Sequence, residues 1–546
     1  MHRSAFSSLR GAWAVHAGYL LLLALAVGAL YGPYLSNPIV FDDLPFFLLG
    51  NDGSLPLTAH RLQLLELRSL PTATLAWTQA VWGQELLYFR LGNLLLHLAV
   101  ASATYGLVLQ LRGTIAAQQS RQDRCLACIV ALLVALHPVA VYAVGYLVQR
   151  STLMATLFSL LAMSACLRAQ VHDQVQQQHA RWWWLSALFY YLAVFSKEHA
   201  LMLMLVLPLL TIYLHADWRR HLWAARWPLL VMLATALLAT TMRRHLLGTA
   251  YEVGASQLIQ QHQLTHPWLD SVLTQCWLFF KYLGLWLLPA TRQMSVDLRE
   301  PISGAWPTPY MLAPLLFLAW GGVGLLLLLR RGRRGLCGLA MLYPWLLFWS
   351  ELVSVRIQEP FVLYRSYLWL VGSLCFAAAV PLAALAAPKR RVLLACLVMV
   401  VYFGLSVERL RTFAHPLLLW DDAEKLVHGR TDLPGAARIY YNRGTELSKL
   451  QRWDAAMKDL QRAVQLQEDF PYAYGNLGAC YLHAGQWAQA RDMFSKAIAQ
   501  RVQNQEPLEV RFYIGRASAY AQLQEPAKAR ADYQVACKVA GVECDK

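Results

Sequence analysis

The sequence predicts an all-α protein: a polytopic membrane helical bundle followed by a C-terminal α-solenoid of helical repeats. Three observations carry this. Of the 546 residues, 57% are apolar and only 15% charged, with a mean hydropathy of +0.37, whereas soluble globular chains carry about a quarter charged residues. Residues 1–410 hold many apolar stretches close to the roughly 20 residues that cross a bilayer. Beyond that the chain turns charged, and identities recur at a period of 34 residues. The expected organisation is a membrane domain over 1–410, a linker over 411–432 and a repeat domain over 433–546.

The first apolar run, 13–31, follows a short basic start (His2, Arg3, Arg10). It is too long for a signal-peptide core and lacks a small-residue cleavage pattern, so it reads as an uncleaved first span. Further apolar stretches fall near 88–110, 125–143, 151–168, 182–196, 199–215, 226–243, 270–289, 310–330, 336–353, 362–386 and 391–408. Basic loops at 112–124, 218–226, 330–334 and 389–391 belong in the cytoplasm by the positive-inside rule. Between the second and third of these the chain must cross an even number of times, yet three candidates lie there. The stretch 270–289 carries Asp270, Gln275 and Lys281 and is set aside as a re-entrant or interfacial helix. About 11 spans remain. The N-terminus is then cytoplasmic and the repeats are periplasmic, on the outer side of the cytoplasmic (inner) membrane. The net charge of +16 follows from the cytoplasmic loops, so membrane lipid is the expected neighbour and nucleic acid is not a partner.

Ten cysteines are scattered, mostly within apolar spans. Cys125 and Cys128 form a C-x-x-C with no second pair, which suits helix packing better than a zinc or redox site. Cys537 and Cys544 can form a disulfide if their compartment is oxidising.

In the tail, Gly444 and Gly478, Trp453 and Trp487, and Ala463 and Ala497 are each 34 residues apart. After an insertion near 503–508 a third unit continues: Tyr481 pairs with Tyr520, Ala490 with Ala529, Phe494 with Tyr533 and Ala497 with Ala536. Small residues let two helices approach and aromatics fill the gap, the pattern of about three tetratricopeptide repeats. Such stacks present a concave surface suited to an extended peptide or a partner protein.

Ionisable groups at membrane depth are functional candidates. Asp42 and Asp43 follow the first span, and two adjacent carboxylates there fit a general base, a divalent cation site or a solvated turn. Arg90, Asn93 and His97 recur on one face of the second span, where helix packing through hydrogen bonds accounts for Asn93 and His97. His137-Pro138 ends a span and Gln149-Arg150 opens the next. Ser196-Lys197-Glu198 occupies a tight connection, and Glu351, Arg356, Glu359, Tyr364 and Arg365 cluster further on. Arginines there can grip a phosphate bidentately or snorkel at the interface.

These stretches, in this order, resemble the GT-C superfamily of glycosyltransferases. The chain is similar in particular to the transmembrane and tetratricopeptide-repeat O-mannosyltransferases and their bacterial relatives. The matching stretches are Phe41-Asp42-Asp43, the run from Asn93 to His97, His137-Pro138 with Val148-Gln149-Arg150, Ser196-Lys197-Glu198, Ser295-Val296-Asp297, Tyr364-Arg365-Ser366-Tyr367-Leu368 and Leu419-Trp420-Asp421-Asp422-Ala423. The resemblance implies inverting transfer of a sugar from a polyprenyl-phosphate-linked donor to a hydroxyl outside the membrane. It implies that Asp42 or Asp43 deprotonates the acceptor and that Arg150, Lys197 and Arg365 bind the donor phosphate. Arg90, His97, His137, Glu198 and Tyr364 are the supporting candidates. The chain departs from the family at Leu363-Tyr364, where relatives carry Glu-His, and at Trp369, where they carry Pro. The expected acceptor is an exported protein, such as a pilin, docked on the repeats. No resident cofactor is implied with certainty. The paired aspartates permit a divalent cation, though a hard cation wants more oxygen ligands than two.

Rival readings are a non-catalytic membrane-anchored scaffold, a transporter, and the same chemistry on a glycan or lipid acceptor. A scaffold has no need of so many spans or of Arg, Lys and Asp at their ends. A transporter predicts midplane charges and symmetric halves, which the sequence lacks.

Overall fold

The computed structural model describes residues 2–47, 57, 60–116, 119–171, 176–250, 252, 254–302, 310–381 and 388–541. Among these the regular structure is helical, and β pairing is confined to a bridge between Leu298 and Phe361. An apolar span must satisfy its own backbone groups, so helices are the expected outcome.

Among the described residues, six helices are by length and composition apolar enough to cross a bilayer: Ala14–Tyr34, Leu86–Gly113, Arg150–Gln170, Leu312–Leu329, Gly332–Leu352 and Lys389–Thr412. A bent pair, Trp218–Ala224 with Arg226–Met242, meets at 74° and makes a seventh if counted as one span. Gln176–Ser196 adds a further 21-residue helix, and the bundle is polytopic, as expected. Arg121–Leu136, Leu203–Leu214 and Leu363–Cys375 have 16, 12 and 13 residues, short of the roughly 20 that span unaided. The 21-residue helix Pro267–Leu287, set aside on its polar residues, donates from Gln275 to the Pro360 carbonyl. Helix Lys389–Thr412 leaves Leu393, Leu397 and Val400 exposed at 71%, 59% and 69%, a face whose natural solvent is lipid. The chain is a multi-pass membrane protein.

Sequence chemistry sets the helix ends. Ser120 accepts from the Asp123 N–H while Asp123 accepts from the Ser120 N–H, a reciprocal cap that starts Arg121–Leu136. Asp123 also pairs with buried Arg112 at 2.6 Å. Cys125 and Cys128 lie on that helix as free thiols. Cys537 is disulfide-bonded, and Cys544 lies outside the described residues.

The tail forms three antiparallel helix pairs: Ala437–Lys449 with Trp453–Leu466, Pro471–His483 with Trp487–Gln503, and Val510–Gln522 with Pro526–Ala540. A Cβ on Gly478 would stand 3.1 Å from the Phe494 ring, so the glycine admits the aromatic that fills the gap. The array packs onto the membrane domain. Gln257 donates to Asp469 at 3.0 Å, Gln261 to the Leu466 carbonyl at 2.8 Å, and Arg438 bonds to both Asp297 and Glu359.

Candidate active site

Past the first span the backbone extends at Val40 and then turns through the 3-10 segment Phe41–Asp43. Phe41 has φ +46°, a left-handed conformation that a bulky residue keeps only where its surroundings hold it. They do so here. Its ring meets Trp420 edge to face at 5.1 Å, and the Arg438 guanidinium lies 5.1 Å over it. The turn sends the two aspartates apart. Asp43 is fully buried, and its two carboxylate oxygens accept the Leu147 and Val148 N–H groups at 3.0 Å each. Asp42 instead faces a cavity of about 560 Å³.

Six cationic side chains line this cavity (Arg68, Lys197, Arg243, Arg356, Arg365 and Arg438) against three carboxylates, Asp42, Glu198 and Glu359. Arg365 reaches Glu351 at 3.2 Å and Glu359 at 3.5 Å. Glu351 also meets Arg356 at 3.4 Å and His199 at 3.0 Å. Buried Lys197 donates to Gln149 at 2.9 Å and Thr152 at 2.6 Å, and its ammonium stands 4.8 Å over the Tyr364 ring. Glu198 pairs with Arg68 at 2.5 Å. Six fixed cations around Asp42 and its neighbouring carboxylates suit a phosphate more than a metal ion. Asp43 spends both oxygens on backbone N–H groups, so the aspartate pair does not offer the donors of a divalent cation site.

Burial first, then the Glu359 carboxylate, push the Asp42 carboxyl up to about 7, against the pull of Arg438. Burial pushes Asp43 to about 6, with the Leu147 and Val148 N–H groups opposing it. Burial, followed by the Arg68 charge, brings the Lys197 ammonium down to about 7. A carboxyl and an ammonium facing one cavity therefore both titrate near neutrality, the condition for proton transfer at working pH.

The structure brings Asp42, Lys197, Glu198, Tyr364 and Arg365 together around this cavity. Arg150 is not among its lining residues. It donates to Asn93 at 2.9 Å, the Phe89 carbonyl at 2.8 Å and the Thr74 carbonyl at 3.1 Å, and Gly92 leaves its guanidinium room. Arg90 donates to the carbonyls of Asn37, Pro38 and Gly145, and Asn93 to those of Tyr146 and Leu147. These residues clamp the loop whose N–H groups hold Asp43. His97 bonds Tyr367 and the Ala135 carbonyl, while His137 bonds the Trp286 carbonyl and stacks on that indole at 4.3 Å. Both histidines sit in the helix packing, away from the cavity.

Two residues of the site, Glu252 and Arg438, escape sequence reasoning, while Asp297 lies in the Ser295-Val296-Asp297 stretch already singled out. Glu252 accepts the N–H groups of Ile357, Gln358 and Glu359 and so shapes the strap carrying Glu359. Asp297 binds Arg299 at 2.8 Å and Arg438 at 2.9 Å. Arg438 comes from the first repeat helix. Elsewhere, the ligand atoms of His215, Asp217 and His221 lie within 4.8 Å of one another, beside Arg219 and Arg220, whose charge opposes a cation.

The geometry defines a membrane protein with a cation-lined cavity at the foot of a helical-repeat array. Residues 437–470 and 469–540 match family models of the tetratricopeptide repeat, so the tail is built of these repeats. No curated protein matches the chain in sequence. Among solved structures it is similar to ArnT from Cupriavidus metallidurans bound to undecaprenyl phosphate, at 14% identity and a TM-score of 0.38, covering 96% of this chain and 89% of that one. The apo form of that protein gives 12% identity and a TM-score of 0.36, covering 96% and 78%. The Archaeoglobus fulgidus oligosaccharyltransferase tethered with an acceptor peptide gives 13% and 0.36, covering 81% of this chain and 58% of that one.

Proposed function

We propose that this chain is a membrane glycosyltransferase that moves a sugar from a polyprenyl-phosphate-linked donor to a hydroxyl of an exported protein. The observation that carries this reading is the Asp42 carboxylate facing a cavity whose cations outnumber its carboxylates two to one. In the reaction the acceptor oxygen attacks the anomeric carbon as Asp42 takes its proton. The bond from that carbon to the phosphate oxygen breaks, and the polyprenyl phosphate leaves with the electron pair. Arg365 and Lys197 stabilise the growing negative charge, with Tyr364 fixing the ammonium. A single displacement inverts the anomeric configuration.

The cavity opens at the end of the membrane domain where the repeats dock, so the donor's phosphate lies at the surface while its apolar chain stays in lipid. The basic loops, read as cytoplasmic, support an outer position for this end, with the N-terminus inside and the repeats in the periplasm. The disulfide at Cys537 supports an oxidising compartment for the tail. The repeats recruit the acceptor. The test is expression of wild type, Asp42→Asn and Arg365→Ala with intact-mass analysis of exported proteins. Sugar-sized mass additions are expected with wild type only, and equal modification by Asp42→Asn would remove the reading.

A further inference from the structure

A second cavity of about 560 Å³ lies between the repeats and the helix Ala255–Gln261. It shares Phe41 and Arg438 with the cavity of Asp42, so the two meet at one aromatic ring and one guanidinium. Its roof is a set of amide bonds: Gln257 donates to Asp469 at 3.0 Å, and Gln467 to Gln257 at 3.3 Å. One wall carries Tyr441 and Phe470, with ring centroids 4.8 Å apart.

The lining has a definite chemistry. Amide side chains offer a donor and an acceptor each, as peptide groups require, and the aromatic pair gives an apolar seat for a side chain. The charges are graded. Arg438 stands at the junction with the first cavity and is already committed to Asp297 and Glu359. Asp469, bonded to the amides of Gln257 and Asn504, and Glu506, paired with Arg501 at 2.9 Å, lie in the part built by the repeats. An acceptor bearing phosphates would meet carboxylates there, whereas a neutral or basic polypeptide meets complementary charge.

We infer that this second cavity is the acceptor site, and that it holds an extended, neutral or basic polypeptide segment whose Ser or Thr hydroxyl passes Phe41 and Arg438 to reach Asp42. This inference rests on the glycosyltransferase reading above and adds to it where the acceptor lies and what it is. The repeats then form one wall of the substrate path in addition to recruiting from solution.

The test uses the full-length protein in nanodiscs with four probes. These are undecaprenyl phosphate, a fluorescent Ser/Thr peptide flanked by lysines, the same peptide flanked by glutamates, and a bis-phosphorylated glycolipid. The variants are Ser256→Trp, which fills the cavity from an exposed position, and Asp469→Lys, which reverses its charge. The lysine-flanked peptide should bind wild type and lose at least tenfold in affinity in both variants. The glutamate-flanked peptide should bind wild type at least tenfold more weakly and recover on Asp469→Lys. Undecaprenyl phosphate should bind all three proteins within twofold, which also reports that they are folded. Absence of peptide binding to wild type, peptide affinity indifferent to both variants, or tighter binding of the glycolipid than of either peptide would overturn the inference. If the peptides behave as expected while undecaprenyl phosphate binds no form, the donor reading fails and the polypeptide site stands.

Discussion

Arg438, the second residue of the first repeat helix, donates from Nε to Oδ2 of Asp297 at 2.9 Å across 141 residues of sequence. The same guanidinium donates to Glu359 at 3.0 Å and lines the cavity of Asp42.

Removing that cation has a directional consequence. Arg438 lowers the Asp42 pKa and Glu359 raises it. Arg438→Ala should therefore move the acidic limb of the transfer-rate profile to higher pH, and Arg438→Lys should restore part of the shift. Rate measurements from pH 5 to 9 on the three proteins check this. An unmoved limb would mean that the repeats do not act on Asp42.

On the proposed reading, Asp42 acts deprotonated as the base and Lys197 acts protonated at the phosphate. With Asp42 and Lys197 both near 7, kcat/KM should rise through about pH 7 and fall above it, giving a narrow bell. Lys197→Arg keeps the charge at all working pH values and should flatten the alkaline limb while leaving the acidic one.

The two aspartates should separate cleanly by substitution. Asp42→Asn should lower transfer by about 10²-fold or more, the usual worth of a positioned base, with an unchanged melting temperature. Asp43→Ala orphans two buried N–H donors and should cost about 1–3 kcal/mol per donor, read as a lower melting temperature in detergent. If Asp43→Asn keeps full stability and loses all transfer while Asp42→Asn transfers normally, the assignment of roles is reversed.

Two arginines of the same type should differ in kind. Arg150→Ala leaves the acceptors of Asn93, Phe89 and Thr74 without their donor and should lower thermal stability by about 2–5 kcal/mol. The folded fraction should bind polyprenyl phosphate normally. Arg365→Ala should weaken that binding by about tenfold or more. A calorimetric melt paired with a lipid-phosphate titration distinguishes them.

The repeats were legible because their packing is local: Gly478 and Phe494 sit on neighbouring helices of one pair, and the period carries the contact. The ionisable residues near span ends were legible by type, since charge at membrane depth is costly. Their roles were not. Nothing in the spacing separates Arg365, facing a cavity, from Arg150 and Arg90, facing carbonyls. Glu252 and Arg438 were invisible because their partners lie 105 and 141 residues away in sequence, a distance that no local pattern spans. Exact helix ends were not legible: the helix ending before His137-Pro138 is shorter than its apolar run.

The position of Arg438 also sets an order of events during biosynthesis. The membrane helices leave the ribosome before residues 437–449 exist, so Asp297 and Glu359 enter the assembling bundle without this counter-charge. The cavity of Asp42 is completed only when the first repeat helix folds and docks. On the proposed reading, a chain stalled or clipped before that point would be inserted in the membrane with the Arg438 wall of its cavity missing, a delay between insertion and activity.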